Sequence, residues 1–194
     1  MNDSMKEFFD RLAPSWDEGE SFREEERMTL INRLPIKEGD HLLDIACGTG
    51  ILEDQLYSLS KQKVIGVDLS EEMIKIAKKK RDPSKAEYFQ SDFSEWESKL
   101  SFDGAVIYNA YPHILDRAAF KENLLHYLKK GAFFAIVHNQ GREELHEHHS
   151  SPAAKRLSRD LSSPEEEASY YQDAFKILSA EESDHHFLII LEKL

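Results

Sequence analysis

Apolar residues recur along the chain with two periods, and each change of period marks the boundary of an element. Met5, Phe8, Phe9 and Leu12 fall on one face of a helix over residues 3–12, and Met28, Ile31 and Leu34 mark a second over about 22–33 that ends at Pro35. The pattern then shortens to an apolar run, His41-Leu42-Leu43-Asp44-Ile45-Ala46, as expected of a strand buried on both faces. After Gly48-Thr49-Gly50, helical spacing resumes at Ile51, Leu52, Leu56 and Leu59. Val64-Ile65-Gly66-Val67 reads as the next strand. Ser70 caps a helix with Met73, Ile74 and Ala77 along one side, and Glu71 and Glu72 suit its positive end. Ala86–Phe89 and Gly104–Ile107 are a third and a fourth strand. Asp116 opens a helix to about Lys129, Gly131 closes it, and Ala132–Val137 is a fifth strand.

Beyond that strand the alternation fails. Residues 139–162 are polar and show no clear period, while Ser163-Pro164 starts another helix. Phe175–Leu178 and Phe187–Leu191 read as two strands joined by a charged turn. Strand and helix alternating five times predict an α/β fold. The expected form is a Rossmann-like three-layer α/β/α sandwich, with a mostly parallel seven-stranded sheet and a C-terminal antiparallel hairpin. The 194 residues suit a single domain, residues 1–194, in which residues 1–34 form an N-terminal helical lid.

Composition narrows the partners. With 25 Lys+Arg against 37 Asp+Glu, the net charge of −12 opposes binding to phosphate backbones and anionic membranes. The basic run Lys78-Lys79-Lys80-Arg81 reads as a solvated helix end. A lone cysteine, Cys47, excludes an intramolecular disulfide and any Cys-based zinc motif. The N-terminus has no basic-then-apolar signal segment, and no uncharged apolar stretch approaches the ~20 residues of a membrane helix. A cytoplasmic protein is expected.

The chemistry centres on the loop after the first strand. Small residues there let a ligand come close to backbone N–H groups and to the positive end of the next helix. Asp68 ends the second strand, 24 residues after Asp44, where a carboxylate can accept from both hydroxyls of a ribose. A dinucleotide fits less well. In the register Gly48-Thr49-Gly50-Ile51-Leu52-Glu53 a carboxylate stands where the third glycine belongs, and it would repel a pyrophosphate. No Gly-Lys-Ser/Thr follows, which excludes a Walker loop.

Leu42-Leu43-Asp44-Ile45-Ala46-Cys47-Gly48-Thr49-Gly50 resembles the first motif of class I S-adenosylmethionine-dependent methyltransferases, with Ala46 in place of that motif's first glycine. Val67-Asp68-Leu69-Ser70-Glu71-Glu72-Met73-Ile74 is similar to the second, ribose-binding motif, and Met73 falls where the family often packs a side chain on the adenine. Ser91-Asp92-Phe93 resembles the third, whose Asp takes the adenine amino group while the next residue's backbone meets the ring. Phe8–Asp17 is similar to the lid of the small-molecule branch, which usually has Tyr where Trp16 stands. The resemblance implies S-adenosyl-L-methionine as cofactor. It would be held by Trp16, Asp44, Ala46, Cys47, Gly48, Gly50, Asp68, Leu69, Met73, Asp92, Phe93 and Asn109. Cys47 is expected to be a small buried residue, not a nucleophile.

The rim of such a site lies at the carboxyl ends of the strands. Tyr108-Asn109-Ala110-Tyr111-Pro112-His113 ends the fourth strand and His138-Asn139 the fifth. Tyr111, His113 and His138 are the catalytic candidates, and the two histidines can act as bases near neutral pH. A metal could take His138 with two of Glu143, His146 and His149, but such residues on a polar helix more often face solvent, and no metal is expected. The expected function is methyl transfer to a small-molecule acceptor. The alternative is a non-catalytic S-adenosylmethionine-binding or partner-regulating protein that docks through residues 139–162.

Overall fold

The computed structural model describes residues 2–18, 24–148 and 154–194. Two helices come first, α1 (Asn2–Leu12) and α2 (Glu24–Ile31). Strands and helices then alternate through β1 (Leu42–Ile45), α3 (Glu53–Ser60), β2 (Val64–Asp68), α4 (Glu71–Lys80), β3 (Ala86–Gln90), β4 (Phe102–Tyr108), α5 (Arg117–Tyr127) and β5 (Leu128–His138). The chain finishes with α6 (Arg142–His148), α7 (Pro164–Ser169), β6 (Phe175–Ser183) and β7 (His186–Lys193).

The seven strands form one sheet in the order β3-β2-β1-β4-β5-β7-β6. The first five are parallel, and β7 runs antiparallel to both β5 and β6. Alternate side chains go to opposite faces of a strand. Leu43, Ile45, Val67, Ile107 and Ile136 accordingly pack on one side with Phe120 and Leu124 of α5. Leu42, Val64, Val106, Ala135 and Val137 pack on the other with Leu30 and Ile31 of α2 and Leu52 and Leu56 near α3. Both faces are covered, so the strands read as unbroken apolar runs. This is the expected three-layer arrangement with its antiparallel hairpin.

Three boundaries differ from the sequence reading. Helix α5 ends at Tyr127, and Gly131 lies within β5 at φ +76°. The pairing of β4 with β5 steps from Phe102–Leu128 to Gly104–Phe133, so three extra residues loop out of β5 and Gly131 takes the positive φ they need. The hairpin strands also run on through polar residues to a turn at Asp184-His185, because backbone pairing continues after core packing has ended. Part of the unassigned stretch is ordered as α6 and as a 3-10 turn at Ala154–Arg156. Residues 22–23, expected in the second helix, lie outside the described residues. Among the described residues no helix is long and apolar enough to cross a membrane.

Candidate functional site

Strand order reverses at β1, which has β2 on one side and β4 on the other. Crossovers leave in opposite directions there, and a cleft opens at the strand ends. It encloses about 390 Å³ and is bounded by α1, the β1–α3 loop, the ends of β2 and β4, and the turns after β3 and β4.

The β1–α3 loop is shaped by backbone requirements. Ala46, Gly48 and Gly50 all have positive φ, at +56°, +55° and +76°. For Ala46 this left-handed conformation is strained, and it stands where the resembling motif has glycine. A Cβ at Gly48 would meet Trp16 Nε1 at 3.5 Å, so the lid tryptophan lies over the loop. Gly50 faces away from the cleft. A Cβ there would come within 2.5 Å of Tyr88 Oη and 3.1 Å of Glu53 Oε2, so the glycine makes room beneath the loop.

Asp68 receives two backbone donors, Gly48 N–H at 2.8 Å and Ser70 N–H at 2.7 Å, one on each carboxylate oxygen. These bonds tie the glycine loop to the start of α4. Burial raises the Asp68 pKa to about 6 in spite of them. Met73 and Leu69 follow it into the cleft wall. Asp92 accepts from Ser94 N–H at 2.8 Å and so caps the 3-10 turn Phe93–Glu95. Phe93 backs onto an aromatic cluster that includes Phe120, at 5.3 Å between ring centroids.

Beneath the loop lies a pair of buried carboxyls that sequence reasoning did not pair. Asp44 lines the cleft, Glu53 does not, and each is 1% exposed. The two carboxyls share a hydrogen bond with each other. Burial pushes both above the ordinary carboxyl range, helped at Asp44 by the charges of Glu53 and Asp68 and at Glu53 by that of Asp54, so the pair keeps a proton near neutral pH. Glu53 therefore points inward below the glycine loop. The space for it comes from Gly50 and Gly66, as a Cβ at Gly66 would lie 3.1 Å from Glu53 Oε1. The motif register gave only the position of Glu53; its direction depends on the helix phase of α3. Burial also pushes the Cys47 thiol up, in keeping with a packed side chain and not a nucleophile.

The N-terminal segment expected to form a lid is fastened at two points. Asp10 accepts from Ser70 Oγ at 2.6 Å and Glu72 N–H at 3.2 Å, and pairs with Lys6 at 2.6 Å. These partners lower its pKa to about 2. Asp17 accepts from Thr49 Oγ1 and pairs with Lys80 at 2.6 Å. Phe9 sits edge-on to both Trp16 and His113, with centroids 5.8 and 5.0 Å apart. Asp10 and Asp17 both fall in the lid-like segment Phe8–Asp17, but nothing in one sequence reveals that they grip α4 and the glycine loop.

Of the residues expected to hold a cofactor, Trp16, Asp44, Ala46, Cys47, Gly48, Asp68, Leu69, Met73, Asp92, Phe93 and Asn109 line the cleft, and Gly50 supports it from behind. Asn109 has φ +52°, and its side chain joins the ends of β4 and β5 by exchanging hydrogen bonds with Asn139. Among the catalytic candidates, His113 lines the cleft. Tyr111 is wholly buried and bonds Tyr171 Oη at 2.9 Å. His138 is likewise buried, edge-on to Phe187 at 5.9 Å. Neither belongs to the cleft wall. His146 bonds the Leu161 carbonyl at 3.2 Å, His149 lies outside the described residues, and among the described residues no three metal-ligating groups converge. The cleft also takes Met5, Glu95, Leu115 and Ala119, for which the sequence carried no signal.

Comparison with known proteins bears on this geometry. Residues 42–131 match the family model of a methyltransferase domain. An uncharacterized protein of Methanocaldococcus jannaschii is 36% identical over 110 residues, 53% of this chain and 41% of that protein. An O-methyltransferase of Pyrenophora dematioidea is 30% identical over 119 residues, 58% of this chain and 45% of that one. These matches thus span less than half the length of the curated relatives. Among solved structures, a chain from the Haloferax volcanii complex containing the Trm112 methyltransferase activator aligns with TM-score 0.81 and 19% identity, over 97% of each chain. The DhpI complex with S-adenosylhomocysteine aligns with TM-score 0.77 and 18% identity, over 100% of this chain and 97% of that one.

Proposed function

We propose that the chain is a class I S-adenosylmethionine-dependent methyltransferase, in keeping with its match to a methyltransferase-domain model, and that it transfers a methyl group from S-adenosylmethionine to a small-molecule acceptor. The observation that carries this reading is Asp68, fixed between the glycine-loop amide and the N-terminus of α4 at the mouth of the cleft. The residues suit an adenosyl cofactor. Asp44 is a buried carboxyl that faces the cleft, where an ammonium group could donate to it. Gly48 leaves the loop backbone open to close approach. Asp68 would receive the ribose hydroxyls, while Met73 and Leu69 flank the adenine and Asp92 takes its amino group. When bound, the cofactor supplies a sulfonium-activated methyl group.

The protein's own share is then orientation and exclusion of water. Trp16 and Phe9 cover the loop, and Asp10 and Asp17 hold that cover down. Residues 1–194 act as one domain in this reading, with the N-terminal segment through Asp17 as its lid, since Leu30 and Ile31 of α2 belong to the core. The test is calorimetric titration with S-adenosylmethionine, S-adenosylhomocysteine and NAD, repeated on Asp68→Ala. The adenosyl compounds are expected to bind and NAD is not, and the substitution should weaken binding at least tenfold. NAD binding, or no binding by folded protein, would overturn the reading.

A second reading keeps the adenosyl site and has the chain work with a protein partner through residues 139–162. The likeness to a chain solved beside a methyltransferase activator supports it. Methyl transfer by the isolated chain would count against a required partner.

A further inference from the structure

The carboxyl pair beneath the glycine loop has a front and a back. Asp44, Gly66 and Tyr88 are register partners across β1, β2 and β3, so they stand in a row on one face of the sheet. Neighbouring strands in such a row lie ~4.8 Å apart. Gly66 leaves the middle place of the row without a side chain, and Glu53 reaches into it from the first turn of α3. A Cβ on Gly66 would lie 3.1 Å from Glu53 Oε1, 2.9 Å from Cys47 Sγ and 2.8 Å from the Tyr88 ring. The Glu53 carboxyl thus occupies the space beside Asp44, and the two share a hydrogen bond. Asp44 lines the cleft and Glu53 does not.

That arrangement decides where a proton must sit. A carboxylate oxygen only accepts, so two carboxyls joined by a hydrogen bond hold at least one proton between them. Around the pair, Cys47 and Tyr88 are neutral, while Asp54 and Asp68 add negative charge. The cation that acts on Glu53 is Arg81, whose Nε–H donates to the Thr49 carbonyl at 3.1 Å. Two negative charges side by side at 1% exposure are costly, so the pair carries one. A cationic group entering from the cleft meets Asp44 and draws that charge to it. The proton is then on Glu53, whose O–H donates to the rear of Asp44. A lysine or arginine in the place of Glu53 would neutralise Asp44 and compete with the incoming cation; a carboxylic acid donates without neutralising it.

We propose that Glu53 is a positioning residue, a carboxylic acid behind the cleft wall that donates to Asp44 and turns the Asp44 carboxylate towards the ammonium group of the cofactor's amino-acid part. The inference rests on the adenosyl reading above. Only O–H bonds change: the proton passes from one carboxyl of the pair to the other as the ammonium arrives, and none leaves the pair.

The test compares three ligands by calorimetry at pH 7. They are S-adenosylhomocysteine, its decarboxylated form, which keeps the amino group, and methylthioadenosine, which lacks the amino-acid part. Glu53→Ala takes away the donor and should weaken the first two about tenfold, leaving methylthioadenosine within about twofold. Glu53→Gln offers Asp44 an amide N–H and should bind all three within about twofold of the unaltered protein. In the infrared, unaltered protein with S-adenosylhomocysteine bound should show the carbonyl band of a buried carboxylic acid, absent from Glu53→Gln with the same ligand. If Glu53→Ala does not fold, Glu53→Gln and the infrared band carry the test. The proposal is overturned by equal weakening of all three ligands, by weakening of S-adenosylhomocysteine alone or of none, by a loss of affinity in Glu53→Gln, or by no acid band that depends on Glu53. Failure of the unaltered, folded protein to bind any of the three defeats the adenosyl reading and this proposal with it, and is told apart because it needs no substitution.

Discussion

At the scale of single residues, Glu53 sets the electrostatics beneath the cofactor loop. Its pKa is raised to about 8, and that of Asp68 to about 6, both mainly by burial. A raised carboxyl means that the folded state holds a proton which the unfolded chain releases. Below pH ~4.5 both states are protonated and the group contributes nothing; between pH ~4.5 and about 8, stability falls as pH rises, by at most ~1.4 kcal/mol per pH unit for one proton. Glu53→Gln stays uncharged across that window. Its unfolding free energy, measured by urea titration at pH 5.5 and pH 8, should fall less between the two than that of the unaltered protein. Equal falls would show that Glu53 does not hold the proton. Asp68 acts in the same sense over the lower part of the window, so some slope will remain.

Among the elements, the joint between α1 and α4 holds the N-terminal segment against the rest of the fold. Ser70 accepts from Met73 N–H at 3.1 Å as an ordinary N-cap and passes its own hydroxyl hydrogen to Asp10. Asp10 thereby becomes part of the N-terminal cap of α4, where a carboxylate is also favoured by the helix dipole. With its pKa lowered to about 2, it stays charged at any physiological pH, so these contacts persist there. Asp10→Ala removes three bonds at once. It should weaken S-adenosylhomocysteine binding about tenfold, a loss of ~1.4 kcal/mol, and quicken proteolysis at residues 13–18. Unchanged affinity and cleavage would mean that aromatic contacts through Phe9 and Trp16 suffice.

For the molecule as a whole, Glu167 joins the strap of residues 154–167 to the rest of the fold. Its carboxylate is 2% exposed and answers two guanidinium groups, one from the strap and one from α5. Arg159 and Ser162 N–H outweigh the burial cost and hold it below the ordinary carboxyl range. Its stabilising effect is therefore present above pH ~4.5 and is lost as pH falls through the lowered pKa. Removing one member of a buried ion cluster leaves uncompensated charge. Glu167→Gln is expected to cost ~3 kcal/mol at pH 7 in urea titration, with a difference from the unaltered protein that shrinks as the pH falls through the lowered pKa. A cost below ~0.5 kcal/mol would mean that the strap is held by its apolar contacts alone.

The sequence by itself determined the layers of the fold and the address of the cofactor cleft. Two-sided burial makes parallel strands read as apolar runs, and the small residues of Ala46–Gly50 together with Asp68 follow from backbone demands that are local in the chain. Helix caps at Ser70, Asp116 and Ser163 were legible for the same reason. Only the tertiary structure decided what depends on distant segments meeting. It turned Glu53 inward against Asp44, brought Asp10 onto Ser70 across 60 residues, and set Leu157 against His113 across 44. It also separated His113 from Tyr111 and His138, three residues that looked equivalent at the ends of strands. Which way a rim side chain faces is fixed by what packs behind it. For His113 that is the strap, whose few buried apolar residues, Ala154, Leu157 and Leu161, are lost among polar neighbours, and whose order also draws on ion pairs and backbone carbonyls between distant segments.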